Sequence, residues 1–241
     1  EPVNDAPTLR SVVFARELDE DWQPTGGPVS TFSATEHEVH ARITIAGRPR
    51  SGKITLRWMW RELDIVTSEV DLANVNGGVL LSYGEDTFIR ARMTTPQLYI
   101  GNGHRLLVLF EEHVLGEYSF AVAPPEGASP SRFVDAALHG VDPRETDLDA
   151  ARTTFTTQQT VFVVGHVALG EASWFNAFFI VDGARNDALT KEAIGVAGAG
   201  DARGFVFPAL PDGGWPVGRH SVQLVLDDGE VADLRFDVIA E

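Results

Sequence analysis

The stretch Gly213-Gly-Trp-Pro-Val-Gly-Arg-His-Ser-Val-Gln-Leu-Val-Leu-Asp-Asp-Gly-Glu-Val-Ala-Asp-Leu-Arg-Phe-Asp-Val238 reads as a β-hairpin. Val222, Leu224 and Leu226 alternate with Ser221, Gln223 and Val225, then Leu234, Phe236 and Val238 alternate with Asp233, Arg235 and Asp237. A period of two marks strands with one dry and one wet face. Between them Asp227-Asp228-Gly229 supplies a turn, because Asp and Gly tolerate the positive φ that a tight connection needs.

Working outward, this pattern occurs twice. Asp86 through Leu109 matches Asp201 through Leu224 at a constant offset, pairing Pro96 with Pro211, Gly103 with Gly218, Leu107 with Val222 and Leu109 with Leu224. One extra residue then aligns Tyr118, Phe120 and Val122 with Leu234, Phe236 and Val238. Upstream, Asp19 matches Asp142 and Thr31-Phe32 matches Thr154-Phe155. The matches fall on turn residues and inward strand positions, as two copies of one backbone require.

The expected fold is therefore all-β: two tandem antiparallel β-sandwich domains, immunoglobulin-like, related by internal duplication. Residues 1–9 read as a flexible N-terminal segment, 10–122 as the first domain, 123–131 as a short proline-rich linker and 132–241 as the second domain. In the first copy strands are expected over 10–18, 39–45, 54–60, 78–83 and 87–93. In the second they are expected over 160–169, 173–181 and 204–207. Trp174 to Val181 is apolar on both faces, which predicts a central strand or an extra contact. Asn186 to Ile194 predicts a short helix.

A Thr-Phe pair, a Val-rich strand, then Gly-Trp-Pro-x-Gly before a Leu-Asp-Asp-Gly hairpin ending in Phe-Asp-Val resembles the immunoglobulin/fibronectin-like repeats of bacterial secreted and lipoprotein chains. The first copy departs from it, with Ile100-Gly101 where the second has Trp215-Pro216. The resemblance implies an extracytoplasmic, non-catalytic role and carries no functional residue over to this sequence.

The formal charge is −16, from 35 acids against 19 bases. Such a surface repels phosphate backbones, so neither nucleic acid nor an anionic membrane is the expected partner. No apolar run is long enough to span a bilayer. Without cysteine there is no disulfide, thiol nucleophile or thiolate metal site. His37-Glu-Val-His40 lacks the helical spacing of a metal pair, since strand residues three apart face opposite ways. His104 and His220 flank the same turn in the two copies and read as solvated. The acidic loops around Asp19–Asp21 and Asp142–Asp149 offer hard oxygen ligands but not the order of a calcium loop. No Gly-x-Ser-x-Gly elbow is present, and Gly195–Gly200 lacks the lysine of a phosphate loop. No catalytic residue, metal or cofactor is nominated.

The binding candidates are aromatic and arginine side chains. Trp58, Trp60 and Trp174 read as core. Trp22 and Trp215 sit in turn-rich segments, where an exposed indole stacks on a sugar ring or anchors a protein. Arg57, Met59 and Arg61 lie opposite the strand's tryptophans, and a nearby strand adds Arg90 and Arg92. Arginines gathered on an acidic molecule suit an acidic protein partner. The expected function is protein–protein contact, with a carbohydrate-binding module pair using Trp22 and Trp215 as the alternative. A two-domain periplasmic chaperone is a weaker candidate, since only Arg132 lies near the linker, and a hydrolase rests on no motif.

Overall fold

Alternating side chains become strands in both halves of the chain. The computed structural model describes residues 6–61, 63–76, 86–195 and 200–240. The chain divides into two units, Glu1–Ala123 and Pro124–Glu241. The expected strand at 78–83, most of the glycine-rich 195–200 and the first five residues lie outside the described residues.

The first unit holds β1 (Leu9–Ala15), β2 (Thr31–Ser33), β3 (Glu38–Ala46), β4 (Lys53–Trp60), β5 (Leu63–Asp71), α1 (Leu72–Asn76), β6 (Asp86–Thr94), β7 (Gly101–Phe110) and β8 (His113–Ala123). They form a three-stranded sheet, β1-β3-β6, and a five-stranded sheet, β2-β8-β7-β4-β5. Inward side chains of the two sheets meet: Phe14 of β1 lies 5.2 Å from Phe120 of β8 and 6.0 Å from Trp58 of β4, ring centre to ring centre. Trp58 and Trp60 are buried, as their shared face requires. Full burial of side chains this size contributes about 1.5–3 kcal/mol each.

The second unit holds β9 (Arg132–His139), β10 (Thr154–Thr156), β11 (Val161–Ala168), β12 (Trp174–Val181), β13 (Ala184–Ile194), β14 (Ala202–Ala209), β15 (Gly218–Leu226) and β16 (Gly229–Ile239). Its sheets run β9-β11-β14 and β10-β16-β15-β12-β13. In each unit a three-residue strand pairs in parallel with the last long strand, β2 with β8 and β10 with β16. The core is built by Phe155, Val163, Phe175, Phe179, Trp215, Leu224 and Phe236.

Three local expectations are corrected. Asn186–Ile194 is strand, not helix, because β13 pairs with β12; backbone pairing overrides the helix preference of Ala, Leu, Lys and Glu. The pairing jumps from Ala177↔Lys191 to Phe179↔Asn186, and the excursion between them delivers Leu189 to the core. Trp174 is buried but stands on the outward side of β12, whose core-facing residues are Phe175, Ala177 and Phe179. The first strand ends at Ala15, and the chain then folds back in a loop closed by a Leu18↔Pro24 bridge.

Of the stretch 123–131, Ala123 ends β8, while Ser131 belongs to the second unit. The Ser131 hydroxyl donates to Ser173 Oγ at 2.6 Å and accepts the Gly170 N–H at 3.0 Å. A Cβ at Gly170 would lie 2.1 Å from the Ser129 carbonyl oxygen, so only glycine admits this segment.

Candidate functional site

Basic side chains gather on the outer face of β3 and β6. These strands pair without a bulge from Glu38↔Thr94 to Ala46↔Asp86. Val39, Ala41, Ile43 and Ile45 on β3, with Ile89, Ala91 and Met93 on β6, are buried against the five-stranded sheet. The intervening residues therefore face outward. His40 sits directly opposite Arg92, and Arg42 directly opposite Arg90. Like charges across a strand pair repel, at about 0.2–1 kcal/mol per pair.

Among the described residues one carboxylate reaches this group, at His40 and Arg92. Glu38 Oε2 lies 3.4 Å from His40 Nε2, and its Oε1 lies 3.8 Å from Arg92 Nη1. Arg42 donates from Nη1 to Gln23 Oε1 at 2.6 Å, and its guanidinium lies 4.3 Å from the Phe88 ring centre. Its Nε is buried without a partner among the described residues. Arg90 is exposed and has no ion pair among the described residues. His40 is buried although it points outward. Desolvation holds its pKa below the ordinary value; Glu38 opposes that shift, and Arg90 and Arg92 add to it.

The loop after β1 borders this face. Asp19 Oδ1 accepts the backbone N–H of Asp21 at 3.0 Å and of Gln23 at 2.7 Å. Trp22, at the tip, takes a φ of 60° and is partly exposed. Through Gln23 and Arg42 this loop is tied to the arginine sheet.

The residues expected to form one recognition surface therefore separate into three groups. Arg90 and Arg92 share the β3–β6 face, with the loop of Trp22 fastened beside it. Arg61 falls in the turn after β4, with a φ of 51°, while Arg57 and Met59 belong to the other sheet of the same unit, because β4 is not a neighbour of β6. Their outward side is the opposite face of the sandwich. There Arg57 makes a two-pronged pair with Asp64, Nε to Oδ1 at 3.1 Å and Nη2 to Oδ2 at 2.8 Å. Met59 is buried, and the Arg61 guanidinium lies 5.1 Å from the Trp60 ring centre.

Trp215 is corrected outright: it is 2% exposed and belongs to the core. Its indole N–H donates to the Gln159 carbonyl at 3.0 Å, and its ring meets Phe236 edge-on at 5.2 Å. It is no platform for a sugar.

His40 and Arg42 complete the cluster and were visible only as polar alternation on β3; pairing between β3 and β6 is what converts four scattered residues into a patch. His104 and His220 are also corrected. Both are buried, with Nε2 2.8 Å from the carbonyl of Tyr99 and of Pro216 respectively. Each faces the matching phenylalanine across a strand pair, His104 opposite Phe120 and His220 opposite Phe236. They are structural pins, not solvated turn residues.

The acidic loops spend their carboxylates locally. Asp142 is held below the usual carboxylate range by the Arg144 side chain and backbone N–H. Asp149 takes hydrogen bonds from Arg152, His139 and the Gly140 N–H; burial pushes its pKa up, but these bonds outweigh it and the net shift is downward. Among the described residues no three His, Asp or Glu side chains gather as metal ligands. Among them, too, no helix is long and apolar enough to cross a membrane.

No protein-family model and no curated protein matches the chain. Solved structures align with it loosely. Dimeric latent PorU from Porphyromonas gingivalis is 11% identical over all of this chain and 21% of that one, at a TM-score of 0.29. Red sea bream transglutaminase is 10% identical over 98% of this chain and 31% of that one, also at 0.29. A Ca2+-stabilised adhesin that helps an Antarctic bacterium bind ice is 12% identical over 98% of this chain and 50% of that one, at 0.25. The chain thus spans 21% to 50% of these proteins' lengths, and at such scores no residue or role carries over.

Proposed function

We propose that the chain is a non-catalytic, extracytoplasmic binding protein, built from two copies of one immunoglobulin-like sandwich, that recognises an acidic protein partner through the outer face of β3 and β6. The shared strand order of the two units and their parallel β2–β8 and β10–β16 pairs support the duplication. The resemblance to secreted repeats supports the compartment.

The observation that carries the binding role is the cross-strand placement of Arg42 opposite Arg90, with Arg92 two residues along and, among the described residues, only Glu38 within ion-pair reach of it, on a chain of charge −16. Guanidiniums in this setting hold anions. Carboxylates of a protein partner reach a local cationic patch more readily than a polyanion approaches so acidic a molecule.

The test is binding of the intact chain to an acidic polypeptide, measured at rising salt. Affinity is expected to fall as salt rises and to disappear in Arg90→Glu/Arg92→Glu, while Arg57→Glu leaves it unchanged. Absence of binding, or equal loss at Arg57, contradicts the proposal.

A further inference from the structure

We infer that the acidic partner binds as an added strand on the free edge of β6, with carboxylates at alternate positions facing Arg90 and Arg92. This mode presupposes the acidic-partner role proposed above and specifies its geometry. β6 ends the sheet order β1-β3-β6, so among the described residues no strand pairs with its other edge. Its nine-residue register with β3 has neither bulge nor proline. Natural edges are commonly blunted by such devices, and the edge strand at the corresponding place in the second unit, β14, carries Pro208. β6 instead presents an unbroken row of backbone groups on its free side.

The side chains flanking that row select what pairs with it. Arg90 and Arg92 are exposed and two residues apart, so their Cα atoms lie about 6.6 Å apart along the strand. An added strand with acids at i and i+2 places each carboxylate opposite a guanidinium, at the separation of directly paired residues. The residue between the acids then continues the dry row of Ile89, Ala91 and Met93 and is apolar. A second copy of β6 laid on the same edge would set arginine against arginine. The edge therefore excludes itself and admits an acidic–apolar–acidic segment, with ladder bonds supplying affinity and charge supplying choice.

The experiment uses the intact chain and four capped peptides of equal charge: Thr-Glu-Val-Glu-Val-Glu-Thr, the same composition with its glutamates contiguous, and the alternating peptide N-methylated at its odd or at its even amides. The alternating peptide is expected to bind about tenfold or more tighter than the contiguous one. One of the two N-methyl series should abolish binding. Peptide binding should also slow amide exchange on the free side of β6. Arg90→Lys and Arg92→Lys, which keep the charge and the fold, should each weaken the alternating peptide about fivefold or less, the range of an exposed pair. If contiguous and alternating peptides bind equally and both N-methyl series are silent, strand addition is overturned and the acidic-partner role stands. If no peptide binds, or polyphosphate alone binds, both are overturned.

Discussion

In the first unit, His40 with Arg92 and Arg42 with Arg90 face outward from β3 and β6. In the second, Phe162 with Pro208 and Val164 with Val206 occupy the corresponding places on β11 and β14. The correspondence follows from the inward pairs beside them, Val39 with Met93 and Ala41 with Ala91 in one unit, Val161 with Ala209 and Val163 with Phe207 in the other. The same division appears on the five-stranded sheets. Lys53, Thr55, Arg57 and Met59 look outward from β4, where Lys53 pairs with Glu69 and Arg57 with Asp64. From β12 it is Trp174, Asn176, Phe178 and Ile180, with the Arg185 guanidinium 3.9 Å from the Phe178 ring centre. Inward positions keep one strand order in both units; outward positions differ, with charged pairs on β4 and largely buried side chains on β12.

The largest effect should appear where the two units agree. Trp58 lies opposite Leu106, and Phe179 opposite Val222, at the centres of their sheets. Trp58→Ala and Phe179→Ala are each expected to cost about 3–5 kcal/mol in denaturant unfolding. A cost below about 1 kcal/mol at either site would break the equivalence of the two cores.

A smaller effect should separate the units. Arg90 gives up no ion pair among the described residues when replaced, so Arg90→Val should stabilise the first unit by up to about 1 kcal/mol by relieving repulsion from Arg42. Val164→Arg/Val206→Arg, which builds the like-charge pair into the second unit, should destabilise it by a similar amount, about 1 kcal/mol. Thermal unfolding of each variant reads both. Destabilisation by Arg90→Val would mean that the cross-strand arginine pair is structural.

The smallest effect concerns pH. His40 is held below its ordinary pKa by burial, so between that pKa and the unfolded value of about 6.5 the unfolded chain binds more protons than the folded one. Stability is therefore full above pH ~6.5 and falls as pH drops through that value, by at most about 1.4 kcal/mol per pH unit. His40→Phe, which copies Phe162, should remove this slope from the acid limb of an unfolding titration. An unchanged slope would assign it to other groups.

What was legible beforehand follows the same division. Alternation around Val222, Leu224, Phe236 and Val238 reports burial directly, so those strands and their facing could be read, but the echo in the first copy stands one residue out of register: Leu107, matched in sequence to Val222, lies opposite the outward Arg57, and Leu106 takes the inward place. Alternation also put Arg57 and Arg90 on the wet side of their strands. It does not say which strands become neighbours, and β4 and β6 joined different sheets. The indole of Trp215 follows glycines and precedes proline, a turn signal that says nothing of the ring's swing into the core onto Phe236. His104 and His220 look polar in sequence, yet each has a carbonyl oxygen within reach inside the core. Segment 186–194 has helix-forming composition, and only its pairing with β12 makes it a strand.

The central claim is tested most directly by mapping backbone amide shifts while the alternating acidic peptide is added to the intact chain. Shifts are expected along β3 and β6 and in the loop carrying Trp22 and Gln23, fading as salt is raised. Shifts centred on Arg57 and Asp64, or on β11 and β14, or no shifts at all, would contradict the assignment of this face as the binding surface.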